Sequence, residues 1–228
     1  MPLTLYFHPL ASFCWKVLIA LYENDTPFTP QIVDLMDERA RSSFLKLSPF
    51  GKFPLLLDGE RDRTILESTI IIEHLARYFP GETALLPTDP DRALRARYWD
   101  RFYDFYVHEP MQKVVGDRRR APDQRDPYGV QQARAQLETS YAIIEGEMAG
   151  QTWALGQEFT MADCSALPAL YYANRVHPLG PHTRTAAYLE RLLGRPSVSR
   201  VLREATPYFH LFPEDRRDEA APEPARRT

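Results

Sequence analysis

A chain of 228 residues with 44% hydrophobic and 26% charged side chains holds apolar material for one large core or two modest ones. Its formal net charge of −3 excludes a general attraction to nucleic acid or to an anionic membrane surface. Two cysteines, Cys14 and Cys164, exclude a disulfide framework; with no leader-like start and no apolar run of membrane-spanning length, they predict a soluble cytoplasmic protein.

In chain order, Leu3 to Phe7 suits a short strand that Pro9 stops, and from Ser12 the apolar residues Phe13, Val17, Leu18 and Leu21 recur at helical spacing. Phe28 to Asp34 follows as an edge strand because of Pro30, and the helix between the two strands makes them parallel. A short helical stretch over 39–47 breaks at Ser48-Pro49-Phe50-Gly51. Phe53 to Leu57 and Thr64 to Leu66 then read as a hairpin with a six-residue connection, Asp58 to Arg63. A helix begins at Ser68, with Ile71, Ile72, Leu75 and Phe79 on one face.

The proline-rich stretch 80–90 reads as a linker, and everything beyond it as helix: 91–109, 129–149, 160–176, 183–193 and 197–206. The fold class is therefore α/β plus all-α. A βαβ-α-ββα unit over 1–79 precedes a helical domain over 91–212, and 213–228 reads as a disordered tail. Arg118-Arg119-Arg120 reads as a solvated loop.

Four places carry candidate chemistry. Ser12 stands where the first helix begins; it either caps that helix or turns its hydroxyl outward to an anion, and the cap is favoured from this stretch alone. Pro54, among apolar neighbours at a strand start, suits either an ordinary trans bond or a cis Phe53-Pro54 bond that would turn the Phe53 backbone outward to bind another peptide. Glu67-Ser68, where the hairpin meets a helix, is either an exposed acid beside a cap or a site for an amino-acid end, ammonium on Glu67 and carboxylate on Ser68. Thr160-Met161-Ala162-Asp163 has the layout of a capping box, with Phe159 as a hydrophobic staple, and is read as structural. No metal site is expected: the histidines show no ligand spacing, and His8 and His108 are read as surface or cap residues.

These motifs, in this order and spacing, resemble the cytosolic glutathione S-transferases: Ala-Ser-Phe-Cys-Trp-Lys-Val around Ser12, Ser-Pro-Phe-Gly-Lys-Phe-Pro at 48–54, Glu67-Ser68-Thr69-Ile70, and Phe-Thr-Met-Ala-Asp at 159–163. The likeness runs to about residue 207, and the Ser-bearing first motif is closer to the zeta, theta and phi groups than to the Tyr-using ones. It implies a thioredoxin-like first domain that binds glutathione as co-substrate, and a helical domain that supplies the electrophile pocket and part of a homodimer interface. By position it implies Ser12 as the donor to the glutathione sulfur and Phe53, with Pro54, at the cysteinyl backbone. Glu67 and Ser68 would hold the γ-glutamyl end, and Lys52 with Arg39 or Arg41 the glycyl carboxylate. Tyr103, Tyr106, His108 and Met111 would wall the electrophile pocket.

The implied role is within reach of one hydroxyl. Lowering a thiol pKa by two units takes roughly 2.7 kcal/mol. A hydrogen bond to a charged group supplies about 1.5–3 kcal/mol, and a helix N-terminus about 0.3–1. Two other readings remain at this point: a glutathione-dependent thiol oxidoreductase working through Cys14, and a non-catalytic binding module. A two-residue step turns a side chain about 200° around a helix, which sends Cys14 to the core when Ser12 faces the site. Tyr6 alternates to the opposite face of its strand from the family's tyrosine.

Overall fold

The computed structural model describes residues 2–213. A four-stranded sheet of order β2-β1-β3-β4 is built from β1 (Leu3–Phe7), β2 (Thr29–Ile32), β3 (Leu55–Asp58) and β4 (Arg63–Leu66). As the βαβ reading requires, β1 and β2 are parallel, from Thr4 opposite Thr29 to Phe7 opposite Ile32. β3 pairs antiparallel with both β1 and β4. The hairpin is tighter than expected. Asp58 and Arg63 pair as strand residues, so only Gly59 to Asp62 connect them. The Asp58 carboxylate holds that turn by accepting from the backbone N–H of Glu60 and Arg61 and pairing with His74 Nε2 at 2.9 Å.

Alternation along β1 decides which side each helix takes. Leu3, Leu5 and Phe7 face the main core with α1 (Ser12–Glu23) and α3 (Ser68–Tyr78), while Tyr6 packs on the other face against Phe44 of α2 (Glu38–Leu45). Every residue of α1 from Cys14 to Leu21 is buried, because the helix lies between the sheet and the helical half. Each large aliphatic buried there contributes about 1.5–3 kcal/mol.

The second half contains α4 (Pro90–Phe102), α5 (Glu109–Arg118), α6 (Pro127–Glu147), α7 (Met161–Val176), α8 (Thr183–Leu193) and α9 (Pro196–Ala205), then a 3₁₀ turn over Thr206–Leu211. Where the sequence predicts one helix over 91–109, α4 runs on through a π-helical turn, Tyr103–His108, into α5. Arg118 closes α5 and donates to the Pro213 carbonyl, so only Arg119 and Arg120 belong to the exposed loop. α7 is the axis of this half, with buried residues on all its faces. Its capping box forms as read: the Thr160 side chain accepts from Ala162 N–H, and Asp163 accepts from Thr160 N–H. Asp163 does more than cap, accepting also from Ala154 N–H and from the Tyr188 hydroxyl in a fully buried position. Beyond Pro213, the expected tail lies outside the described residues.

Candidate functional site

Two helix starts meet the same cleft with the same construction. In α1 the cap position is Ala11, which makes no side-chain cap bond, and Ser12 is the first helical residue. In α3 the cap position is Glu67, which also makes none, and Ser68 is the first helical residue. The sequence alone favoured Ser12 as a cap and left Ser68 open between a cap and a ligand site; neither serine stands at the cap position. Glu67 has φ of +68°, left-handed backbone that costs a non-glycine residue about 1–3 kcal/mol and collects at functional sites.

The Ser12 hydroxyl lies 3.0 Å from His108 Nε2, at the end of the π-helical turn. Such turns are frequent at functional sites. His108 is not the surface or cap residue expected: it is 2% exposed, and the Phe13 ring packs on its imidazole at 4.3 Å. Burial, and after it the Lys16 charge, push its pKa down to about 3, so the ring is neutral at physiological pH. One helical turn from each partner, Lys16 Nζ lies 2.8 Å from Asp104 and 2.9 Å from Asp100. Thr69 donates to Asp100 at 2.6 Å, which ties the first turn of α3 into the same buried network.

Beside this pair opens a cleft of about 390 Å³, lined on one wall by Lys52, Phe53, Pro54, Glu67 and Ser68. The Phe53-Pro54 bond in that wall is cis. The facing wall, from the helical half, brings Arg101, Asp104, Phe105, His108, Glu109 and Gln112. Ser12 is half-buried and does not itself line the cleft; its sequence neighbour Phe13 and its hydrogen-bond partner His108 do. Arg39 and Arg41 are exposed on α2 and line no part of it.

The four residues expected around an electrophile divide differently. His108 lines the cleft, but Tyr103 and Met111 are 1% and 3% exposed in the core, and Tyr106 is 51% exposed and packs on Phe102 away from the cleft. Tyr103 continues the buried stripe of Ala96, Trp99 and Asp100 at helical spacing, which turns it to the core and not to the cleft. Cys14 is fully buried, and burial pushes its thiol up to about 12. His8 is half-buried, its ring stacked on Phe53 at 6.4 Å.

Residues 5–83 match the family model described as glutathione S-transferase, N-terminal domain, and residues 127–191 the corresponding C-terminal domain. The chain belongs to the glutathione S-transferase family. It is 26% identical over 190 residues to glutathione S-transferase GstB of Escherichia coli, covering 82% of this chain and 91% of that protein. To glutathione S-transferase 3 of Zea mays it is 29% identical over 212 residues, 88% of this chain and 93% of the relative. In fold it is similar to glutathione transferase F2 of Populus trichocarpa, with a TM-score of 0.78, 24% identity, and coverage of 90% of this chain and 100% of that one. Among the described residues of this transferase, no helix is long and apolar enough to cross a membrane.

Proposed function

We propose that this transferase binds glutathione along the wall from Lys52 to Ser68 and activates its thiol through Ser12 for attack on a small electrophile. The observation that carries the reading is the Ser12–His108 hydrogen bond beside a cleft with a cis Phe53-Pro54 edge and an acid–serine pair at the next helix start. A neutral imidazole carries one N–H. In the tautomer with that proton on Nε2, His108 donates to the Ser12 oxygen and leaves the hydroxyl hydrogen to point at the sulfur. Ser12 then stabilises the thiolate, and the first turn of α1 adds its backbone donors.

Charge matches the tripeptide along the cleft. Lys52, not Arg39, faces the glycyl carboxylate, and Glu67 faces the γ-glutamyl ammonium beside the first turn of α3. Bound there, glutathione presents its sulfur toward the facing wall, where Phe13, Phe105 and Gln112 remain for the electrophile. Cytoplasmic residence, where glutathione is kept reduced, suits two cysteines that are both buried and unpaired.

The enzyme is proposed to work as a homodimer. Leu66 and Ile70 are exposed on the β4–α3 face, and Leu94 and Tyr98 on the α4 face. Two such apolar faces can cover each other across a two-fold axis. Light scattering is expected to give twice the chain mass.

Retention on immobilised glutathione, and turnover of 1-chloro-2,4-dinitrobenzene or another electrophile from a broad panel, are the expected results. A crystal soak in which glutathione does not lodge beside Ser12 would end the assignment.

A further inference from the structure

We propose that Arg101, reaching from α4, holds the α-carboxylate of the γ-glutamyl end of glutathione against the first turn of α3. The inference rests on the glutathione reading of the cleft and adds a ligand contact from the helical half.

Three observations place the guanidinium. Thr69 bonds Asp100 at 2.6 Å, and one turn away Glu73 takes two hydrogen bonds from Arg97, at 2.7 and 2.9 Å. These contacts run α3 and α4 antiparallel, so the chain beyond Asp100 passes the N-terminal end of α3, where Glu67 and Ser68 line the cleft with Arg101. Second, the Arg101 guanidinium lies 4.0 Å over the Phe105 ring, which fixes its plane at the cleft wall. Third, its ion pair with Asp104 is long, 3.5 Å, and that carboxylate already receives Lys16 at 2.8 and 2.9 Å. Arg101 keeps donor capacity for a ligand, since a guanidinium carries five N–H groups and a carboxylate takes two of them side by side.

The charges that line the cleft agree. Leu55 pairs with Leu66 across β3 and β4, which brings Lys52 to Pro54, just before that pair, and Glu67 and Ser68, just after it, onto one wall, and Arg101 lines the cleft from the facing side. Glutathione carries a carboxylate at each end and an ammonium beside one of them. The cleft is lined by two cations, Lys52 and Arg101, and by an acid, Glu67, where α3 begins. The alternative occupant of Arg101 is an anionic electrophile, and the two are separable by experiment.

Arg101→Gln and Arg101→Lys would be titrated beside the wild type with two ligands, glutathione and 4-aminobutyryl-cysteinyl-glycine. The second lacks only the α-carboxylate in question. Arg101→Gln is expected to weaken glutathione binding about tenfold and raise its KM with kcat little changed. It should leave the analogue's affinity within twofold, and Arg101→Lys should recover part of the loss. Arg101 is exposed, and unchanged thermal unfolding of both variants confirms intact folding. Equal weakening of both ligands, unchanged glutathione affinity, or a rise in KM for anionic electrophiles alone would overturn the inference. A wild type that binds neither ligand would instead remove the glutathione reading itself.

Discussion

Ser12 and His108 lie 96 residues apart in sequence and share a 3.0 Å hydrogen bond across the seam between α1 and the π-helical turn. One turn on along α1 and one turn back from His108, Lys16 and Asp104 make a second rung at 2.8 Å. The reactive end of the sheet half is therefore oriented by the helical half, not by its own helix cap. Ser12→Ala should lower kcat/KM about 10- to 100-fold, the worth of one hydrogen bond to a charged group. The pH–rate profile should move up by about one to two units as the bound thiol becomes less acidic. Unchanged turnover on every active substrate rules the role out.

His108 makes stability depend on pH in a definite direction. Its pKa is about 3 in the folded chain because of burial and then the Lys16 charge, against about 6.5 when unfolded. Between those values the unfolded chain binds a proton that the folded one does not, so this contribution is present above pH 6.5 and is lost as pH falls. From pH 7 to pH 5 the wild type should lose about 2 kcal/mol more unfolding free energy than His108→Gln, measured in urea. Equal losses in the two proteins would mean that the imidazole titrates freely.

Cys14 is expected to be silent. It is fully buried, and a thiol held at about 12 has almost no thiolate at neutral pH. After treatment with glutathione disulfide, the native protein should carry no 305 Da adduct, the mass of about one glutathionyl group, on Cys14. Cys14→Ala should keep its turnover and lose on the order of 1 kcal/mol of stability from the vacated volume. An adduct that vanishes in that variant would revive disulfide exchange as the chemistry.

The sheet was legible because proline, glycine and period-two patterning act locally: Pro9, Pro30 and the run Leu55 to Leu57 each mark an element that the fold contains. The facing wall of the cleft was not, since it depends on how a long helix rotates. Asp100, Asp104 and His108 recur every four residues on an aromatic-rich helix, as Ser12 and Lys16 do on α1. Two polar stripes on two otherwise apolar helices are the signal that could have paired them. The aromatic residues drew the reading instead, and Tyr103 packs in the core because it continues the buried stripe of α4 set by Ala96, Trp99 and Asp100. Arg101 and Gln112 carry no sequence signal at all; only the folded cleft brings them to the glutathione wall.

Lys16 is the test of how far the site depends on its buried support. The ammonium is 1% exposed between Asp100 and Asp104, which are 0% and 8% exposed. Burial raises the Asp104 pKa, against the lowering pull of Lys16. Lys16→Met keeps most of the apolar stem but leaves two carboxylates facing each other in the core. Removing one partner of a buried pair costs about 3–5 kcal/mol, so the urea midpoint should fall by that equivalent. Adding Asp104→Asn should restore part of the loss, since one of the uncompensated charges is gone. Because a protonated Asp104 would relieve the single variant, its deficit should also shrink as the buffer is taken from pH 8 toward pH 5. A Lys16→Met protein with wild-type stability at neutral pH would show that the second rung contributes nothing, and that Ser12 and His108 are held together by packing alone.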